Sequence, residues 1–255
     1  GAGGTPYAMA GTIATRFVGI NVSAGTTAAV NSIQGNTIAN ITLNTSSGAT
    51  TTNGIICGIN ATAGNFNIGN VTGNTIGATS GVDNIRATST TAGGLVVGIN
   101  SSTTGTVTIL NNNIGALTSS GVTAAISGSI TGVNISGAAT TVTIVNNNIG
   151  NATANNMRGG TSGLTTGSSL VSGINLPSTP TTATITNNTI QNLSAFGTGT
   201  ASYVRGIQTT TAAIATATGW SISNNLINNL TTNSAFVGIG SGLVSAQGIH
   251  HLASQ

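Results

Sequence analysis

The chain has 255 residues, and among them stand 4 Lys plus Arg and 1 Asp plus Glu, a formal net charge of +3. That length suffices for one domain with a continuous core, yet charged residues make up 2% of it, against roughly 25% in an ordinary soluble domain. Asp83 is the one acidic side chain, Arg16, Arg86, Arg158 and Arg205 are the bases, and Cys57 is the one cysteine. A hydrolase of the kind that needs two carboxylates, an intrachain disulfide and a basic patch for nucleic acid all lack their residues.

Polarity comes instead from 47 Thr, 32 Asn and 26 Ser, set beside 38 Gly and 38% hydrophobic residues. Disordered segments are normally poor in β-branched apolar residues, whereas here Ile and Val are plentiful and evenly placed. No apolar run reaches the roughly 18 residues that would read as a membrane span, so membrane insertion is not expected. The chain starts at Gly1 without a charged-then-apolar leader, and the expectation is a mature or excised piece.

Along the chain two cassettes alternate. The first opens at Phe17-Val18-Gly19-Ile20-Asn21 and returns as Ile56-Cys57-Gly58-Ile59-Asn60, Val96-Val97-Gly98-Ile99-Asn100, Ile130-Thr131-Gly132-Val133-Asn134 and Val171-Ser172-Gly173-Ile174-Asn175. It decays to Val204-Arg205-Gly206-Ile207-Gln208 and Ala246-Gln247-Gly248-Ile249-His250. Its central Ile or Val recurs after 39, 40, 34, 41, 33 and 42 residues. The second cassette, Ile/Val-x-x-Asn-x-Ile, is read as beginning at Ile33, Val71, Ile109, Ile144, Ile185 and Ile222 and ending at Ile38, Ile76, Ile114, Ile149, Ile190 and Ile227.

Between the cassettes, Thr106-Val107-Thr108-Ile109, Thr141-Val142-Thr143-Ile144 and Thr182-Ala183-Thr184-Ile185 alternate hydroxyl and apolar residues with the period of a strand. The same positions in neighbouring copies are read as Val30/Ser32, Ile68/Asn70 and Gly219/Ser221. Helix is disfavoured throughout, because Gly, Asn, Thr and Ser are mediocre or poor helix formers. Equivalent strands roughly 38 residues apart pair parallel and in register, each about 4.8 Å above its predecessor. The predicted fold is therefore all-β, a parallel β-helix or β-solenoid of about six rungs and a partial seventh, forming a single domain over 1–255.

In this geometry the Asn of the second cassette forms a column: Asn36, Asn74, Asn112, Asn147, Asn188 and Asn225. An inward bend between strands leaves backbone groups unpaired, and an Asn there can bond both the bend and the amide one rung away. The other reading is a row of surface turns, where Asn tolerates left-handed φ. Ile38, Ile76, Ile114, Ile149, Ile190 and Ile227 form one expected core column, and Ile20, Ile59, Ile99, Val133, Ile174 and Ile207 another. The Gly ahead of the second column permits a bulge or corner. Trp220, at the place of Val107, Val142 and Ala183, is expected to pack against the core.

These repeats resemble the right-handed parallel β-helices of pectin-lyase-like proteins, and still more the low-charge Thr/Asn/Gly-rich solenoids of bacterial surface adhesins and extracellular fibres. The resemblance implies right-handed winding, an extracellular or cell-surface location and a structural role. Departures from the lyases are plain, since Asp83-Asn84-Ile85-Arg86 is the only local acid–base candidate and reads as a solvated loop ion pair. His250-His251 lacks a third metal ligand nearby. No catalytic residue, cofactor or metal is therefore assigned.

The expected function is a non-enzymatic surface module that self-associates end to end or forms part of a stalk, as a segment of a longer repeat chain or a stacking subunit. An adhesin holding glycans along one face is the alternative, marked by a contiguous groove with aromatic and amide groups. An ice-binding threonine face and a divergent polysaccharide lyase are the remaining readings.

Overall fold

The computed structural model describes residues 6–11, 13–25, 29–48, 53–91, 93–211, 219–235 and 245–253. These form a β-solenoid of about six turns in which every strand pair is parallel and no helix occurs among the described residues.

Three sheets run the length of the stack. The first collects the Gly-Ile-Asn cassettes in sequence order, from Phe17–Val22 through Ile56–Ala61, Gly94–Ser101, Gly128–Ile135, Leu170–Leu176 and Tyr203–Thr211 to Ala246–Ala253. The second collects Val30–Ile33, Asn65–Ile68, Thr106–Leu110, Thr141–Val145, Thr182–Thr186 and Gly219–Ser223. The third holds two columns of shorter strands separated by a corner. One column runs Thr37–Ile38, Thr75–Gly77, Asn113–Gly115 and Asn148–Ile149, and the other Tyr7–Ala10, Ile41–Thr45, Ile85–Ser89, Leu117–Gly121 and Met157–Gly159. In the fifth rung Thr189–Ala195 passes through the corner unbroken and pairs with both columns, fusing them into one sheet.

That corner demands left-handed backbone, and φ is 57° at Asn40, 57° at Ala116, 56° at Asn192 and 51° at Asn229. Asn adopts this conformation more readily than most residues because its short side chain bonds locally. Sequence alone did not separate this extra strand from the variable connector, which in fact carries one strand of every rung.

The register stacks like on like. Ile38 lies beside Ile76, Ile76 beside Ile114, and the column continues to Ile149, Ile190 and Ile227. Ile20, Ile59, Ile99, Val133, Ile174, Ile207 and Ile249 form the second column. Ile76, Ile149, Ile190, Ile59, Ile99, Val133, Ile174 and Ile207 are 0% exposed. Burial of this kind stabilises each side chain by roughly 1.5–3 kcal/mol. Toward the ends the columns open: Ile20 and Ile227 are partly buried, and Ile249 is half exposed.

One anchor of the sequence reading is corrected. Val71 does not begin the second cassette of rung two; Ile68 holds that place, paired with Ile33 and Ile109, while Val71 is 80% exposed. Rung two carries extra residues between Ile68 and Asn74, so a fixed offset counted back from Asn74 lands on the turn rather than on the strand. The residues aligned with Thr106 and Thr108 are accordingly Asn65 and Asn67, not Ile68 and Asn70. Trp220 sits beside Ala183, partly buried against the core, with its indole N–H donating to the Pro180 carbonyl at 3.1 Å.

Candidate functional site

The asparagine column lies inside the bend between the second and third sheets. The Asn74 backbone N–H and its Nδ2 both donate to Asn112 Oδ1 at 2.9 Å. Asn112 repeats this toward Asn147, Asn147 toward Asn188, Asn188 toward Asn225, and Asn36 toward Asn74. The same Nδ2 groups also reach strand-end carbonyls, such as Ile33 O from Asn74 and Ile68 O from Asn112. Asn74, Asn112 and Asn147 are 0% exposed, so each amide supplies buried backbone groups with partners the ladder of strands cannot give. The left-handed turn falls one residue earlier, at Asn111, Asn146, Asn187 and Asn224, with φ of 55–58°. The two readings of Asn thus apply to neighbouring residues: Asn111 makes the turn and Asn112 makes the ladder.

A second amide column belongs to the first cassette and escaped sequence reading, although the repeated Asn of Gly-Ile-Asn was its signal. Asn60 Nδ2 donates to Asn21 Oδ1 at 2.7 Å, Asn100 to Asn60 at 2.8 Å, Asn134 to Asn100 at 2.9 Å and Asn175 to Asn134 at 2.9 Å. These side-chain bonds point toward the start of the chain, opposite to those of the inner ladder.

This outer column walls a groove on the first sheet. Pairing skips the cassette glycine, since Val97 faces Thr131 and pairing resumes with Ile99 and Val133. Cys57, Val97, Thr131, Ser172 and Arg205 occupy successive rungs of the floor, and each is at most 8% exposed. The floor thus changes from apolar to polar along the axis. Where it is polar, a cleft of about 160 Å³ opens between Leu95, Ser129, Leu170 and Tyr203 on one side and Asn175 on the other. Asn175 Oδ1 is buried there and accepts no hydrogen bond among the described residues. The Arg205 guanidinium lies 3.9 Å from the Tyr203 ring centroid and donates through Nε to Gln247 at 3.1 Å. Burial lowers its pKa from the usual arginine value, with Tyr203 opposing.

The expected Asp83–Arg86 loop pair is not formed. Asp83 sits in a left-handed turn, φ 58°, and its carboxylate pairs with Arg158, two rungs on, and accepts from the Thr118 hydroxyl. Arg86 stands on the strand Ile85–Ser89 with its side chain exposed. Lateral register, which sequence distance hides, brings together groups 75 residues apart.

The remaining candidates fall elsewhere. Burial pushes the Cys57 thiol up to about 12, with its Sγ donating to Ile59 O at 3.2 Å. His250 is buried in the last strand, and His251 Nδ1 lies 2.7 Å from the Thr209 hydroxyl. Among the described residues no three His, Cys, Asp or Glu side chains gather in a group that could hold a metal ion. Thr106, Thr141 and Thr182 stack in register, as do Thr108, Thr143 and Thr184, while Asn65, Asn67, Gly219 and Ser221 bound this patch.

Compared with known proteins, the chain matches no protein-family model, no curated protein and no solved structure.

Proposed function

We propose that the chain is a non-catalytic structural module of an extracellular or cell-surface assembly, extended lengthwise by further copies of itself. The observation that carries this is the state of its two ends. Among the described residues, Ala246–Ala253 and Leu226–Thr232 each have a neighbour on one side only, as do Phe17–Val22 and Tyr7–Ala10 at the opposite end. Ile249 continues the column that begins at Ile20, and Leu230 continues the column that passes through Leu193, Met157, Leu117, Ile85 and Ile41 to Tyr7.

A second copy one rung further on would set its Phe17–Val22 edge on Ala246–Ala253 and its Tyr7–Ala10 edge on Leu226–Thr232. Unpaired strand edges recruit strands of matching register. Tyr7, Leu226 and Ile249 are 54%, 56% and 50% exposed, and such apolar surface favours a covering partner. The near absence of charge removes the repulsion that would oppose it.

The test is light scattering after size exclusion, with electron microscopy of the same fractions. End-to-end oligomers that grow with concentration, and that Ile249→Asp reduces to monomer without changing the circular dichroism spectrum, support the proposal. A monodisperse monomer at millimolar concentration overturns it.

A second reading is favoured by the groove on the first sheet: an adhesin surface for glycans. A ring, apolar side chains, hydroxyls and a buried unpartnered amide oxygen converge in one cleft, which is the chemistry that orients a sugar. Loss of binding to neutral oligosaccharides in Tyr203→Ala would support it.

A further inference from the structure

We propose that a separate cleft on the third sheet, between Arg86 and Arg158, binds the acidic group of an anionic polysaccharide. Two of the five charged side chains of the molecule line the cleft, and a third, Asp83, pairs with one of them. Arg86, Thr118 and Arg158 are aligned on consecutive rungs, so the two arginines stand two rungs, about 9.6 Å, apart on one face.

Their placement comes from a repeated local motif. Asp83-Asn84-Ile85-Arg86 in rung two and Asn155-Asn156-Met157-Arg158 in rung four share a left-handed first residue, with φ of 58° at Asp83 and 54° at Asn155. In each the second residue caps a corner of the preceding rung: Asn84 Oδ1 accepts from the Asn40 N–H, and Asn156 Oδ1 from the Ala116 N–H, both at 2.9 Å. The turn is fixed, and the arginine two residues beyond the capping asparagine is carried outward on a strand.

The two guanidinium groups are not equivalent. Asp83 pairs with Arg158, and Arg158 Nε also donates to the Thr118 hydroxyl at 3.3 Å. The Arg86 side chain has no hydrogen bond or ion pair among the described residues, and Asp83, the sole carboxylate side chain of the chain, is held by Arg158. The cleft therefore keeps one uncompensated positive charge.

Its volume is about 200 Å³, and hydroxyls of Thr118, Ser120, Thr161 and Ser162 line it beside the two arginines. Pockets that enclose a whole drug-sized ligand run to roughly 300–1,000 Å³, so this one suits a single ring or acidic group of a longer chain. A guanidinium grips a carboxylate or sulfate through two parallel N–H bonds, and hydroxyls both donate to and accept from sugar hydroxyls. Among the described residues no aromatic or aliphatic side chain lines it to take a peptide's apolar residues. One net charge is too little for a nucleic-acid backbone, whose affinity rests on many phosphate contacts.

The experiment is calorimetric titration of the full chain with an oligogalacturonate and, separately, with a heparin-derived oligosaccharide. Saturable binding of either, weakened by salt, is expected, and the arm that binds identifies the acidic group as carboxylate or sulfate. Arg86→Gln should weaken it about tenfold, Arg86→Lys by less, and Arg16→Gln and Tyr203→Ala should leave it unchanged. Arg16→Gln controls for lost charge, and Tyr203→Ala separates this cleft from the groove on the first sheet. Absence of binding by both probes at millimolar concentration overturns the proposal. So does equal affinity of Arg86→Gln and the parent, or an equal loss in Arg16→Gln, given that Arg86→Gln melts as the parent does.

Discussion

Gly132 lies directly against Ile149: a Cβ added to the glycine would stand 2.6 Å from Ile149 Cγ2 and 2.6 Å from the Gly173 carbonyl oxygen of the next rung. The same contact recurs between Gly58 and Ile76, Gly98 and Ile114, and Gly173 and Ile190. Each first-cassette glycine thus makes room for the isoleucine of the second, and the two repeats are halves of one packing unit. Gly132→Ala should destabilise the protein by about 1–3 kcal/mol through overpacking. Gly248, in the same motif with nothing within 4 Å, should tolerate Ala within about 0.5 kcal/mol. Denaturant midpoints of the two variants make the comparison.

Asn112→Ala removes the acceptor for two donors of Asn74 and the donor to Ile68 O and Leu110 O, all in a buried bend. Each orphaned group costs about 1–3 kcal/mol, so a loss of about 3 kcal/mol or more is expected in guanidinium chloride unfolding. The adjacent Asn113→Ala loses one bond, from Asn148 Nδ2 on the exposed side, and should cost less than about 1 kcal/mol. Similar losses in both variants would show that the inner column does not hold the bend.

With its pKa pushed up to about 12 by burial, Cys57 stays a thiol at neutral pH, and the thiolate is the reactive form. A disulfide reagent at pH 8 should leave it unmodified for hours in the native protein and titrate one thiol in denaturant. Rapid labelling without denaturant would contradict the burial seen here.

His250 has its pKa lowered from 6.5 by burial first, and then by the charges of Arg205 and His251. Below about pH 6.5 the unfolded chain takes up the proton before the folded one does, so its contribution is complete above that pH and is lost as the pH falls. Amide protection in the last pair of strands, Tyr203–Thr211 and Ala246–Ala253, taken relative to the intrinsic exchange rate at each pH, should fall between pH 7 and pH 5. His250→Gln should flatten that dependence.

What the sequence discloses depends on whether a residue acts within its own column or across the rung. Column neighbours share a sequence offset, so parallel stacking, the two isoleucine columns and the alignment of Asn36 through Asn225 follow from spacing alone. An insertion shifts that count, as it does between Ile68 and Asn74. Contacts across the rung leave no regular spacing: nothing in the order of residues shows that Gly132 meets Ile149. The Asp83–Arg158 pair combines an irregular connector with a two-rung separation, and the nearer Arg86 makes the wrong partner look natural. The cleft on the first sheet was hidden for a related reason, because its lining comes from several rungs.

The single ion pair between Asp83 and Arg158 leaves the rest of the described structure to neutral amides, hydroxyls and methyl groups. Dissolved electrolyte screens separated charges within about 8 Å at physiological strength, and here it finds almost nothing to weaken. A solenoid folded on such terms keeps its stability nearly alike in fresh water and in brine.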